Sequence, residues 1–450
     1  MIRPVPASRA IQLNPCFDDP LLDGMNFLND ATSRFPDAIS FAPGRPLDRL
    51  LEIERHIESL HAYVAHTAHE RGVGATAAWN GLGQYGRTNG VIADLVAAHL
   101  ERDENIRVTS DAIVVTVGAQ EAMALVLLGL FDRERDVLLV SDPTYVGMTG
   151  LARVLGVRVM PVVTGDDGLE PGAVEAAIVD IAASGRRARA VYDIPDFSNP
   201  LGTSMPRANR EGLLDVCRRH DALIIEDNPY GMFAYDDQRQ PTLKSLDPDH
   251  VVLYIGTFSK TIFPGLRLGY LVADQRVLPG GRTLATELSK VKSLVTVNTP
   301  GLMQAIAASA LTRAGGTLEP LVAPKRAQYR RHRDAMLAAL ETAAAQLHGS
   351  ITWTVPAGGF FLTVTLPFEF GAQELQDCAA GYGVIVSPMR MFCLGVERSR
   401  QIRLSFSSVE PSAIQTGIER LTGFIASRSE ANSTAMRAPN TSQSLIQGGA

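Results

Sequence analysis

The chain has 450 residues, a formal net charge of −6 and 46% hydrophobic residues, the composition of a soluble globular protein with about two or three lobes. The acidic balance and the absence of a basic run speak against nucleic acid as a partner, and no stretch reaches the length of a membrane span. The opening MIRPVPASRAIQLNPCFDDP lacks the apolar core of a signal peptide, which points to the cytoplasm.

In chain order the strand-like apolar runs are IVVTVG (113–118), DVLLVSDP (136–143), VRVMPVV (157–163), ARAVYDIP (188–195), ALIIED (222–227) and VVLYIGTF (251–258). Amphipathic segments such as AQEAMALVLLGLF and RANREGLLDVCRRH lie between them. This alternation predicts an α/β domain with a mostly parallel sheet covered by helices. From about residue 300 long helices take over, followed by ITWTVPAGGFFLTVTLP, a helical stretch near ELQDCAAGYG and the strand-like QIRLSFSSV, which together predict a smaller α+β lobe. The end of the chain, SEANSTAMRAPNTSQSLIQGGA, is polar and rich in small residues and reads as a disordered tail over 429–450.

In open α/β sheets the chemistry gathers beyond the carboxyl ends of the strands, so the residues after each run carry the argument. IVVTVG leads into Gly118, Ala119 and Gln120 at an expected helix N-terminus, where free N–H groups favour a phosphate. DVLLV delivers Tyr145, ARAVYDIPDF delivers Asn199, ALIIED ends on Asp227 with Tyr230 close behind, and VVLYI delivers Ser259, Lys260 and Arg267. Each has an ordinary explanation as a turn or a surface charge. One cofactor, pyridoxal phosphate, uses them all: a lysine to hold its aldehyde, a carboxylate to keep its ring nitrogen protonated, cations and hydroxyls for its phosphate, an aromatic face, and donors to its phenolic oxygen.

The ordered blocks TVGAQEA, SDPTY, SNPLG, EDNPYG, GTFSKTIFPGLRLGY and IRLSFS, spread from about Ser40 to Phe424, resemble the fold-type-I, class I/II aminotransferases. The resemblance is nearest to the branch of 2-aminoadipate, kynurenine and aromatic transaminases, and FAPGRP is similar to arylglycine transaminases of antibiotic biosynthesis. It implies an aspartate aminotransferase-like fold, with a mostly parallel seven-stranded sheet in a large domain over 71–300. A small domain would span 301–428, and 1–70 would form an N-terminal arm and part of that small domain. It further implies Lys260 as the lysine that carries the cofactor, Asp227 as the partner of the ring nitrogen, and Asn199 and Tyr230 as phenolate donors. Tyr145 becomes the stacking ring, and Gly118, Ala119, Gln120, Ser259 and Arg267 hold the phosphate. Arg403, in IRLSFS, would grip the substrate α-carboxylate through its planar fork. Tyr85, in GQYG, would reach the phosphate of a neighbouring subunit, which implies a homodimer. The reaction expected is ping-pong transfer between an aromatic, arylglycine or 2-aminoadipate-like L-amino acid and a 2-oxo acid, with freed Lys260 moving the α-proton.

Other signals are weaker. GLGQYG (81–86) fits G-x-G-x-x-G, but ATAAWN before it is no buried strand, so dinucleotide binding is not expected. His220 reads as a helix end and Asp166-Asp167 as a turn. Cys16, Cys217, Cys378 and Cys393 show no C-x-x-C pair and no helix carries H-E-x-x-H, so no metal is indicated. Arg45, beside Gly44, and Arg87 replace residues usual in relatives; each either meets a second polar group of the substrate or pairs with Asp48 or Glu121. Rival functions are a different pyridoxal phosphate reaction (oxidation, decarboxylation, cyclisation or elimination) on the same Lys and Asp, and an aminotransferase-like transcription regulator.

Overall fold

A computed structural model describes residues 11–19, 22, 30–235 and 239–437, residues 431–437 by backbone alone. A two-residue strand β1 (Ile39–Ser40) precedes β2 (Ile113–Thr116), β3 (Asp136–Asp142), β4 (Arg158–Val163), β5 (Arg187–Asp193), β6 (Leu223–Asp227), β7 (Val252–Thr257) and β8 (Gly269–Val272). The last seven form one sheet in the order β2-β8-β7-β6-β5-β3-β4. Strands β2 and β3 are buried along their whole length, which explains why they read as unbroken apolar runs: helices cover both faces. The six runs seen in the sequence all lie in this sheet; the seventh strand, β8, sits inside the GLRLGY block.

β8 is antiparallel to both β2 and β7, whereas β3 to β7 pair in parallel. Two reversals leave β2 running with the others, so the carboxyl ends of β2, β3, β5, β6 and β7 come to one edge. Gly269, at the start of β8, is squeezed there: a Cβ would lie 2.8 Å from the Gly256 carbonyl oxygen, 2.9 Å from the Gly118 carbonyl carbon and 3.0 Å from the Ala119 nitrogen. Only glycine allows three chain segments to meet so closely.

A short hairpin, β9 (Arg276–Val277) and β10 (Arg282–Thr283), follows, and then β11 (Thr352–Trp353), β12 (Phe361–Thr365), β13 (Val384–Ile385), β14 (Ser387–Pro388) and β15 (Gln401–Ser405). The second sheet has the order β11-β12-β15-β14, and β1 pairs with β13, tying the N-terminal segment to this lobe. The long helix Glu319–Gln346 packs on the helix Pro411–Arg437. The latter continues to Arg437, into the stretch expected from residue 429 to be a disordered tail, because no glycine or proline interrupts 425–437; residues 438–450 lie outside the described residues. The helix Gly301–Arg313 packs against Ile53–Glu70 and Ala75–Gly83.

Candidate active site

A cavity of about 370 Å³ opens at the carboxyl edge of the large sheet, roofed by the second lobe. Lys260 and Asp227 both line it, delivered by adjacent strands β7 and β6. The Lys260 Nζ donates to the Gly44 carbonyl at 2.9 Å, so the 41–45 segment closes over it. Burial, then the charge of Arg267, bring the Lys260 ammonium down to about 8, against an opposing pull from Asp227.

Asp227 is buried. Its Oδ2 accepts the Tyr192 hydroxyl at 2.9 Å, and its Oδ1 is buried with no partner. Burial pushes its carboxyl up to about 7, while the Tyr192 hydrogen bond and Lys260 pull it down. A buried carboxylate oxygen without a donor calls for a cationic N–H in the cavity.

At the other end of the cavity, Ala119 and Gln120 start the helix Gly118–Leu130, and Ser259 and Arg267 face the same space. Gly118 has φ +73°, and a Cβ there would sit 2.8 Å from Nη2 of Arg267; the guanidinium therefore lies against bare backbone. The Ser259 hydroxyl accepts from Thr257 Oγ1 at 3.0 Å. A helix N-terminus, a hydroxyl and a guanidinium converging on one spot make an anion site. Tyr145, also at the wall, directly precedes the helix Val146–Val154, and burial raises its hydroxyl to about 12. Tyr230 is buried, edge-on to Phe360 and Phe361 at 5.4 and 5.6 Å between centroids, and burial raises its hydroxyl too.

Arg403 sits on the central strand β15, opposite Thr363 of β12 and Ser387 of β14. Its guanidinium is sandwiched between the rings of Phe361 and Phe392, 4.5 and 4.6 Å from their centroids. Nη1 donates to Asn199 Oδ1 at 2.6 Å; Nη2 donates to the Ala42 carbonyl and to Ser387 Oγ; Nε is buried without a partner. Burial lowers it to about 10. The Phe392 turn is itself held from the large lobe. Both carboxylate oxygens of Asp142, at the end of β3, accept the N–H groups of Leu394, Gly395 and Val396 at 2.7–2.9 Å, and Thr144 N–H bonds to the Phe392 carbonyl.

The cavity thus unites Gly44, Arg45 and every strand-end residue singled out above except Gly118, which lies just behind Arg267. Tyr85 is not among them: it is 84% exposed and does not line the cavity. Glu121 is no partner for Arg45 or Arg87, since it is engaged by Lys292 at 2.7 Å and by Thr296 and the Val117 N–H. Arg45 is exposed and its side chain makes no hydrogen bond or ion pair among the described residues. GLGQYG starts within the helix Ala75–Gly83, not after a strand, which removes the dinucleotide reading. His220 follows the helix Arg207–Arg219 and bonds Glu175 at 2.9 Å. Sequence reasoning missed Tyr192, Phe361, Phe392 and Asp142. The first stands in the quoted ARAVYDIP run facing its neighbour strand; the others join the site only through long-range packing.

Residues 62–421 match the family model for aminotransferase class I and II. The chain is 42% identical to an (S)-3,5-dihydroxyphenylglycine transaminase of Amycolatopsis orientalis, over 92% of this chain and 94% of that one. It is 30% identical to a 2-aminoadipate transaminase of Thermus thermophilus, over 86% of this chain and 89% of that one. Its fold superposes on a crystal structure of Pyrococcus horikoshii kynurenine aminotransferase in complex with PMP with a TM-score of 0.77 at 27% identity, covering 90% of this chain and 94% of that one. The bare Asp227 oxygen, the lysine beside it and the anion site at the far end fit the ring, aldehyde and phosphate of pyridoxal phosphate. The chain therefore belongs to the aminotransferase class I and II family and is an aminotransferase that works with pyridoxal phosphate.

Proposed function

We propose that this enzyme takes the amino group of an aromatic L-amino acid, an arylglycine foremost, and hands it to a 2-oxo acid in a ping-pong cycle. The observation that carries the reading is the opening of Lys260, the bare oxygen of Asp227 and the ring-clamped Arg403 on one cavity. The cofactor, when bound, supplies an electron sink for the pair left at the substrate α-carbon. Everything else falls to the chain. Lys260 Nζ, lowered to about 8, takes the α-proton near neutral pH without a large deprotonation cost. Asp227 Oδ1, oriented by the Tyr192 hydroxyl on Oδ2, would keep the ring nitrogen protonated. Arg403, whose buried Nε has no partner, would receive the α-carboxylate, Asn199 and Tyr230 would serve the phenolic oxygen, and Tyr145 would offer its ring to the cofactor. Ala119, Gln120, Ser259 and Arg267, with Gly118 behind, would hold the phosphate.

The substrate class follows from the walls and from the arylglycine transaminase to which the chain is similar. Phe361, Phe392, Ile194 and Met123 offer apolar faces to a ring, and unpaired Arg45 at the wall suits a phenolic hydroxyl or a second carboxylate. A homodimer is supported by the surface around Tyr85. Leu294, Val295 and Val297 are 89, 51 and 50% exposed, and the 84–86 segment touches theirs: a Cβ on Gly86 would lie 3.7 Å from Asn298 Nδ2. A cytoplasmic location fits four cysteines that all carry free thiols.

The test is a substrate panel on the holoenzyme. Dihydroxyphenylglycine, hydroxyphenylglycine, phenylalanine, tyrosine, 2-aminoadipate and glutamate are mixed with it singly while the absorbance of the bound cofactor is followed. Conversion to the amine form by arylglycines, reversed by 2-oxo acids, is expected; Lys260→Ala should show neither the parental absorbance nor turnover. Oxygen consumption or ammonia release in place of reversal would overturn the proposal.

A further inference from the structure

The chain contains five lysines, and the company they keep divides them. Lys244 bonds Asp274 at 2.7 Å and Asp247 at 3.3 Å, Lys292 bonds Glu121 at 2.7 Å, and Lys290 bonds Glu287. Lys260 and Lys325 touch no carboxylate among the described residues. Lys325 is only 5% exposed. It follows Pro324 in the long helix Glu319–Gln346, on the stripe that also buries Val322, Tyr329, His332 and Met336, where an apolar side chain would be the ordinary choice.

Only Glu52 opposes its charge, and from beyond ion-pair contact. The neighbouring 220 Å³ cavity is lined by Arg49, Arg55 and Arg313 as well as Lys325, and its one carboxylate, Glu52, bonds Arg55 at 3.2 Å. A buried ammonium with no carboxylate in contact is costly and persists only where its hydrogen bonds serve something. Lys325 Nζ donates to two consecutive carbonyls, Thr261 and Ile262, at 2.8 Å each. These are the residues directly after Lys260. They end a single turn in which Ile262 N–H bonds the Phe258 carbonyl, and a turn that short leaves its last carbonyls without partners of its own.

We propose that Lys325 is a positioning residue for the amino-group transfer: by capping the Thr261 and Ile262 carbonyls it fixes the turn from which Lys260 Nζ is presented to the cofactor and the substrate α-carbon. It touches neither. The inference rests on the assignment of Lys260 made above, and the substrate panel there tests that assignment independently.

The experiment compares Lys325→Met, which removes the donors, and Lys325→Arg, which keeps cationic donors, with the parent holoenzyme. Three quantities are read: kcat and KM for the best amino donor, the pH midpoint of the bound-cofactor absorbance, and the affinity of the cofactor-free protein for pyridoxal phosphate. The Met variant should lose about 10- to 100-fold in kcat, the cost of a misplaced reacting group, with KM within about threefold. Its absorbance midpoint should shift, and Lys325→Arg should recover most of both. Should the Met variant not fold, Lys325→Gln, shorter and neutral, is read in its place with the same expectation. A parental kcat, a loss confined to KM, or an unmoved absorbance midpoint in a folded variant overturns the proposal.

Discussion

Asp227 holds one oxygen against Tyr192 and leaves the other bare in a buried wall, so in the cofactor-free chain its neutral acid is favoured up to about pH 7. Its folded value lies above its unfolded value, so the stability it contributes is full below about pH 4 and is lost as pH rises through 7. Glu226 and Asp193, raised by burial to about 8 and about 6, act in the same direction. Comparing the cofactor-free parent with Asp227→Asn cancels those two. Thermal melts between pH 4 and 8 should show the parent losing stability relative to the variant, chiefly between pH 5 and 7; parallel curves would contradict the assignment. With cofactor added, Asp227→Asn should lose about 100- to 1,000-fold in turnover, because the ring nitrogen has no anion to hold its proton. Arg403 differs from a surface cation in being planar and stacked between two rings. Lys is therefore no conservative replacement: Arg403→Lys should raise KM for every amino acid about 10- to 100-fold, read in steady-state kinetics, with the cofactor absorbance unchanged. At this scale the sequence was informative wherever a reactive side chain stood directly after a strand, as with Lys260, Asp227 and Asn199. It was silent on Phe361, Phe392 and Lys325, since an ordinary phenylalanine or helical lysine acquires its role only from what packs beside it.

At the scale of elements, the anion end of the cavity depends on a helix start with no side chain in the way. Gly118→Ala puts a methyl group 2.8 Å from Arg267 Nη2 and forces a non-glycine residue to φ +73°. Strain and displacement of about 1–3 kcal/mol should weaken cofactor affinity roughly 5- to 150-fold in titrations of the cofactor-free protein, while kcat at saturating cofactor changes little. Six strands of the large sheet were legible because parallel, fully buried strands read as apolar runs. β8 was not, being four residues long and embedded in the block that carries Lys260 and Arg267. The helix Pro411–Arg437 outran its expected end because a polar stretch without glycine or proline can extend a helix already anchored by Ile418, Leu421 and Phe424.

For the whole molecule, the proposed homodimer would use the exposed Tyr85, Leu294, Val295 and Val297. Leu294→Asp should shift the protein toward monomer in analytical ultracentrifugation and lower cofactor affinity together with it; a monomeric variant with parental affinity would separate Tyr85 from the site. The alternation of strands and helices made the lobes readable, whereas their relative placement depends on contacts such as that between residues 199 and 403, which no local pattern announces.

The Asp142 carboxylate gathers three successive amides from a turn 252 to 254 residues further along the chain. The covering over Arg403 is thus shaped by the opposite half of the molecule. A chimera that grafts the C-terminal lobe of this enzyme onto the sheet of a relative would inherit the arginine but not its aromatic sandwich, unless the SDPTY segment were transplanted as well.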